Sequence, residues 1–174
     1  MKKLLLSFLI ALSLLNEAYS ESYFYNTPYQ VCFTPEQDCT SLIVIAINNA
    51  KESIYVQAYS FTSVPIAQAL VAAKRRGVEV DVILDKTQSK SNKYTSSTFL
   101  ANSNIPVWID YKPAIAHNKI IIIDKAQVIT GSFNFTKAAQ DKNAENVLII
   151  TNDELAKRYL ENWNKRQAQS RAIN

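Results

Sequence analysis

The sequence is poor in the residues that build metal centres. Its 174 residues include one histidine, His117, and two cysteines, Cys32 and Cys39, and no cluster of acidic residues accompanies the histidine. Catalytic metals are held by several such side chains together, and none of the usual ligand spacings is present. The sequence therefore gives no indication of metal chemistry, and we expect neither a metal nor another cofactor.

The sequence also lacks an apolar run long enough to cross a membrane comfortably. The longest mostly apolar run covers residues 4–15 and follows Lys2 and Lys3, and Ala18-Tyr19-Ser20 places small residues at positions −3 and −1 of a cleavage site. This arrangement is typical of a secretory signal peptide. We expect residues 1–20 to be removed and the protein to be periplasmic or secreted, without a stable membrane span. The alternative is that the segment stays attached as a membrane anchor.

Residues 21–174 have the length and composition of one domain. An apolar content of 48% is enough for a buried core. Removal of the first 20 residues leaves 17 basic and 14 acidic residues, a net charge of +3. This mild positive charge permits a polyanionic partner but does not prove one.

Both cysteines lie beyond the predicted signal peptide. In an oxidising compartment, Cys32 and Cys39 could close a small loop or remain two independent thiols. We expect a disulfide that acts as a staple near the N-terminus and has no catalytic role.

Apolar periodicity predicts strands that alternate with helices. A mixed β-sheet flanked by helices on both faces, an α/β sandwich, accounts for this order. Asn152 is a candidate cap for the last helix. The predicted strands are Tyr29–Phe33, Ser53–Phe61, Val78–Leu84, Pro106–Ile109, Ala116–Ile123, Gln127–Thr130 and Val147–Thr151, and the predicted helices are Gln37–Ala50, Val64–Arg76, Ser97–Asn102 and Asp153–Ala168.

The most informative segment of the chain is residues 117–134. It follows the pattern H-x-K-x4-D-x6-G-S-x-N, whose specified positions are His117, Lys119, Asp124, Gly131, Ser132 and Asn134. Four isoleucines inside the pattern, residues 120–123, predict a short strand buried on both faces. Gly131 suits a close backbone approach or a positive φ.

The polar side chains of this segment should converge at the ends of two neighbouring strands. Because side chains alternate along a strand, His117 and Lys119 share a face, and Ser132 and Asn134 do so after the next apolar run. The imidazole can be a nucleophile or a proton carrier near neutral pH. The ammonium, hydroxyl and amide are donors suited to the non-bridging oxygens of a phosphodiester. Asp124 follows its strand at a position where a turn former is common.

The pattern resembles that of the phospholipase D superfamily, and the mature chain is similar to the smallest members, the Nuc-type bacterial endonucleases. The resemblance implies that His117 attacks phosphorus and forms a phosphohistidine. It implies that Lys119 and Asn134 bind the phosphoryl oxygens with help from Ser132. It also implies that Glu145 accepts a hydrogen bond from the imidazole and orients it.

The remaining motif position and the motif's copy number also bear on the site. Asp124 completes the motif, and we expect it to support structure or local charge.

Larger members of the family carry two copies of the motif in one chain, whereas this chain has one copy and no internal repeat. The resemblance therefore implies a homodimer in which two copies of His117 face one shared cleft.

We expect a nuclease that hydrolyses DNA, with RNA as a further substrate, and needs no metal. A likeness to the NucT type within this group would imply a preference for single strands. The alternative is a phospholipase D acting on phosphatidyl head groups, because the motif is shared. A third reading, a binding module without catalysis, is disfavoured by the intact polar set.

A polar, basic segment covers residues 86–98. Lys86, Lys90 and Lys93 are spaced around Tyr94. Such a segment can bind a nucleic-acid strand, since ammonium groups meet phosphates and an aromatic ring stacks on a base. An ordinary solvated loop has the same composition, and the sequence leaves both alternatives open.

Overall fold

The computed structural model describes residues 27–89 and 96–173. The predicted signal peptide lies outside these residues, and so do Lys90, Lys93 and Tyr94 of the basic segment. Within the described part, no helix combines the length and the apolar character needed to cross a membrane.

Strands and helices alternate along the described chain. The strands are β1 (Tyr29–Thr34), β2 (Ser53–Ala58), β3 (Glu79–Asp85), β4 (Val107–Asp110), β5 (Lys119–Ile123), β6 (Gln127–Gly131), β7 (Glu145–Thr151) and β8 (Arg171–Ala172). The α-helices are α1 (Cys39–Asn49), α2 (Val64–Arg75), α3 (Ser96–Ala101), α4 (Lys137–Asp141) and α5 (Asp153–Gln167), and a 3-10 helix covers Lys86–Ser89.

All eight strands belong to one mixed sheet, in the order β1-β7-β6-β5-β2-β3-β4-β8. Strands β2, β3 and β4 are parallel, and the other neighbours are antiparallel. The same border of the sheet, one formed by strand ends and not by an outer strand, therefore carries the ends of β2, β3, β4 and β6 and the beginnings of β5 and β7. We call this the motif edge, since both halves of the 117–134 pattern meet there.

Helices cover both faces of the sheet, which confirms the predicted fold class. Helices α1 to α4 pack on one face, where Ile43, Leu70 and Leu100 join the main core. Helix α5 packs on the other face through Ala156 and Trp163, and the Trp163 indole N–H donates to the Val56 carbonyl at 2.9 Å. The two layers bury every residue of β5, and each isoleucine there contributes roughly 1.5–3 kcal/mol.

Local signals set the ends of the longer helices, and the predicted Asn152 cap is one of them. The Asn152 side chain accepts a hydrogen bond from the Leu155 N–H at 2.8 Å and caps α5. Pro65 lies in the first turn of α2, where its missing N–H costs nothing. Gly77 follows that helix with a φ of +92°, a conformation that favours glycine.

The structure differs from the predicted elements mainly near the motif edge. Strand β2 ends at Ala58 and β5 begins at Lys119, because the segments beyond them are held by loop contacts outside the ladder. Part of the predicted basic loop is the 3-10 helix Lys86–Ser89. Helix α4 and strand β8 were not predicted, since elements of five and two residues carry too little periodicity.

The expected disulfide joins Cys32 and Cys39. It links β1 to the first residue of α1, with the two Cα atoms 5.6 Å apart. Closing so short a loop removes freedom from the unfolded chain and stabilises the fold by about 2–3 kcal/mol.

Candidate active site

His117 and Lys119 stand together at the motif edge, as the sequence predicts. His117 precedes β5 and is exposed, whereas Lys119 is only 8% exposed. The Lys119 ammonium donates to the His117 carbonyl at 2.8 Å. A buried cation is thus fixed beside an imidazole that a substrate can reach.

Tyr59 joins these two residues into one group. Its ring lies against the His117 imidazole, with centroids 4.6 Å apart and planes 51° from each other. The Lys119 ammonium is 5.1 Å from the centroid of the same ring. The Tyr59 N–H donates to the Asn118 carbonyl at 2.8 Å, which ties the end of β2 to the segment that carries the motif.

The electrostatic environment of Lys119 favours an anionic ligand. Burial lowers the pKa of its ammonium, and the Glu145 carboxylate opposes this shift by favouring the charged form. A partly desolvated cation interacts more strongly with a phosphate than one surrounded by water. Glu145, at the start of β7, is therefore near enough to act on the charge of this ammonium.

Ser132 and Glu145 are joined directly. The Ser132 hydroxyl donates to Glu145 Oε2 at 2.6 Å, and the Asn143 amide donates to Oε1 at 2.9 Å. The Asn146 N–H donates to Ser132 Oγ at 3.0 Å, so the hydroxyl is held on both sides. The resemblance implies a hydrogen bond between Glu145 and His117. No such bond is present among the described residues.

Gly131 allows the backbone at Ser132 to approach β7. Its φ is +148°, and a Cβ atom at this position would lie 2.2 Å from the Asn146 carbonyl oxygen. That carbonyl accepts the Ser132 N–H at 3.1 Å. Both features expected of Gly131, close approach and positive φ, are present.

Asn134 lies between two buried phenylalanines, Phe133 and Phe135. Its side-chain oxygen is buried and finds no hydrogen-bond partner among the described residues. An unpaired buried amide oxygen is costly, so it is available to a hydrogen-bond donor on a ligand or to ordered water.

Asp124 does not lie with the other motif residues. It follows the far end of β5, about 16 Å from Lys119 at the usual strand rise. Its carboxylate accepts backbone N–H groups of Lys51, Glu52 and Ser53 at 2.8–3.1 Å. Burial alone would raise its pKa, but these hydrogen bonds outweigh burial and hold the pKa below the ordinary value. The expected structural role fits this position.

Lys86 supports the segment that precedes His117 and is not a free basic side chain. Its ammonium donates to the Pro113 carbonyl at 3.1 Å. Next to it, the buried Asp85 accepts the Ala116 N–H at 2.7 Å, one residue before His117. The end of β3 therefore fixes the segment that leads to the imidazole.

Sequence reasoning did not single out Tyr59 or Asp85. Tyr59 continues the alternation of Tyr55 and Gln57 and looks like a strand residue, while Asp85 looks like an ordinary end of a strand. Their contacts are with residues more than 30 positions away along the chain. No local pattern reports such partners.

No group of three or more histidine, cysteine, aspartate or glutamate side chains within residues 27–89 and 96–173 is placed to hold a metal ion. Independence from a metal remains a prediction for experiment.

Comparison with known proteins decides the family. Residues 43–166 match the family model described as cardiolipin synthase, PLD-like domain. The chain is 48% identical over 160 residues to a phospholipase D of Rickettsia conorii, over 91% of this chain and 80% of the relative. The chain belongs to the phospholipase D superfamily.

Two solved structures share the fold. Nuc from Salmonella typhimurium, a phospholipase D family member, has a TM-score of 0.80 and 43% identity over 85% of this chain and 99% of its own. NucT from Helicobacter pylori has a TM-score of 0.76 and 25% identity over 84% of this chain and 99% of its own. The family and fold inferred from the sequence are confirmed, and the chain is a phosphodiesterase of the phospholipase D superfamily.

Proposed function

We propose that the protein is a metal-independent nuclease that hydrolyses the phosphodiester bonds of DNA through a phosphohistidine. The observation that carries this proposal is the exposed His117 imidazole held beside the buried Lys119 ammonium. The pairing supplies a nucleophile and a fixed positive charge at one point of the surface. The likeness to Nuc and NucT supports nucleic acid as the substrate.

The proposed reaction has two displacements at phosphorus. An imidazole nitrogen of His117 attacks, the bond from phosphorus to the leaving oxygen breaks, and the partner subunit's His117 protonates that oxygen. Water then attacks the phosphohistidine, the partner's His117 takes a proton from it, and the imidazole is released. Dividing the reaction in this way replaces one difficult step with two easier ones.

The other motif residues stabilise charge in this scheme. Lys119 and Asn134 bind the non-bridging oxygens, where negative charge accumulates, and Ser132 assists. Glu145 orients the imidazole. Each carboxylate oxygen can accept two hydrogen bonds, so those from Ser132 and Asn143 leave room for an imidazole N–H.

A homodimer supplies the second imidazole, and the structure offers an apolar surface for it. On the α5 side of β1, Tyr29, Val31 and Phe33 are 69%, 46% and 52% exposed. Exposed patches of this kind mark interaction sites. Phe33 pairs with Asn146, beside Glu145, so the patch reaches the motif edge. We assign it to a second copy of the chain, because only a second copy brings another histidine to that edge.

A phospholipase D acting on phosphatidyl head groups is the second candidate. It is favoured by the name of the Rickettsia conorii relative. Export to the periplasm or the medium after removal of residues 1–20 is part of the proposal and suits either substrate.

One experiment compares the two substrates directly. The exported protein is incubated in excess EDTA with labelled single-stranded DNA, duplex DNA and RNA, and separately with phosphatidylcholine vesicles. We expect DNA cleavage, and a labelled phosphoenzyme after an alkaline denaturing quench that is missing in His117→Ala. Head-group release without DNA cleavage would establish the second candidate. Activity that disappears in EDTA and returns with magnesium would overturn the mechanism.

A further inference from the structure

An arginine lies over a tyrosine ring at the motif edge, several strands away from His117. The Arg171 guanidinium, from β8, lies 5.2 Å from the centroid of the Tyr111 ring, just after β4. Both residues are exposed. Neither of the two ion pairs Lys137–Asp141 and Arg166–Asp110 of the described residues involves Arg171.

The pair forms one wall of a groove. The cavity has a volume of about 310 Å³ and is lined also by Ser89, Thr98 and Ile109, a size within the range of ligand pockets. The Tyr111 hydroxyl donates to Ser89 Oγ at 3.2 Å, and Ser89 Oγ donates to the Lys86 carbonyl at 2.7 Å. The ring is therefore held in place at the groove.

The groove and His117 lie at the same edge of the sheet, a few strands apart. Strand β4 is three positions from β5 in the sheet, which corresponds to about 14 Å at the usual spacing of strands. Gln88 lines the groove and accepts the Phe61 N–H at 3.3 Å, two residues after Tyr59. At roughly 3.4 Å per nucleotide, this separation corresponds to about four nucleotides, and to fewer if the strand is extended.

We propose that Tyr111 and Arg171 form a binding subsite for a single nucleic-acid strand, a few nucleotides from the bond that is cut. A base stacks on the aromatic and guanidinium planes, and Arg171 binds a neighbouring phosphate. Unpaired bases expose the faces that such stacking requires, so the subsite selects single strands over duplex. This inference rests on the proposed nuclease function and gives it a strand preference.

The test measures binding separately from cleavage. Fluorescence anisotropy follows a labelled 12-nucleotide single strand on dimers with His117→Ala, which do not cut. Tyr111→Leu should weaken binding about 5- to 150-fold, the range for loss of one stacked base. Arg171→Gln should weaken binding and make its log–log salt dependence shallower by about 0.7.

Matched controls separate the subsite from folding and net charge. Tyr111→Phe keeps the ring but loses its hydrogen bond to Ser89, and should bind far more tightly than Tyr111→Leu. Lys157→Gln removes an exposed charge from α5 on the opposite face of the sheet. With His117 intact, the change in KM should be confined to strands longer than about four nucleotides. Thermal unfolding shows whether each variant is folded.

The outcomes distinguish the subsite from the proposed function. Binding of the 12-nucleotide strand that neither Tyr111→Leu nor Arg171→Gln weakens would overturn the subsite, whether or not the protein cuts DNA. Equal weakening of binding to single strands and duplex would also overturn it. Tight binding that depends on Tyr111, without any cleavage by the wild type, would support the subsite and contradict the nuclease function.

Discussion

The Tyr59 ring packs against the His117 imidazole at a centroid distance of 4.6 Å. Because the Lys119 ammonium lies over the same ring, one aromatic side chain contacts both the proposed nucleophile and the proposed phosphate-binding charge. Tyr59 comes from the end of β2, whereas the other two residues come from the entry to β5. His117 and Lys119 are therefore held by a neighbouring strand as well as by their own.

Replacing Tyr59 should misplace the imidazole. We expect Tyr59→Leu to lower kcat about 10- to 100-fold, because small displacements of a reacting group are costly, and Tyr59→Phe to retain most activity. Since His117 is the only histidine, its proton NMR signal in an untagged protein is unambiguous. That signal should shift in Tyr59→Leu as the ring current is lost. An unchanged signal would show that the two rings are not in contact in solution.

Asp124 should stabilise the fold only above acidic pH. Its lowered pKa means that its stabilising effect is complete above the ordinary carboxylate pKa and is lost as the pH falls through the lower, folded-state value. Asp124→Asn, which tolerates the positive φ of this turn, should lose about 1–3 kcal/mol near pH 7. The difference from the wild type should shrink toward pH 3. Urea unfolding at several pH values measures this, with Glu36→Gln as an exposed control. A constant difference at all pH values would contradict the assignment.

Gly131 and Gly77 form a natural comparison, because both have positive φ but differ in surrounding space. Gly77→Ala should cost about 1–2 kcal/mol from backbone strain alone. Gly131→Ala should cost more, since its Cβ meets the Asn146 carbonyl. It should also reduce turnover by moving Ser132 away from Glu145. Thermal unfolding and oligonucleotide cleavage measure the two effects. Equal losses of stability would argue against the close approach.

A mixed dimer tests whether two chains share one site. Wild-type chains are unfolded and refolded with an equal amount of His117→Ala chains. Random pairing leaves about one quarter of dimers fully wild type, and a mixed dimer lacks either the nucleophile or the acid. Activity per total dimer should fall to about a quarter of the wild-type value, since losing a general acid costs roughly 10²–10⁴-fold. Activity that follows the fraction of wild-type chains would mean that each subunit works alone.

The apolar face of β1 can be tested beside the mixed dimer. Val31→Lys places a charge in the middle of the exposed patch, while the buried disulfide partner Cys32 is untouched. We expect the variant to sediment as a monomer and to lose cleavage while staying folded. A dimer that persists would place the interface elsewhere.

The sequence by itself determined the family, the α/β class and the composition of the site. The spacing of polar residues around four isoleucines predicted a buried strand with His117 and Lys119 at its entry. Side chains alternate along a strand, so these two residues share one face. The Cys32–Cys39 disulfide, the Asn152 cap and most strands and helices also depend on residues close together in the sequence, so they too were predicted.

Tertiary structure alone decided which residues surround the imidazole. Strand order brings β2 beside β5, so Tyr59 meets His117 from a segment 58 positions earlier, and β3 brings Asp85 to the backbone before it. The tertiary structure also places Asp124 one strand length away from His117 and Lys119, and it places Arg171 against Tyr111. Such contacts follow from strand register and from packing between distant segments. The periodicity of apolar residues along the chain does not predict them.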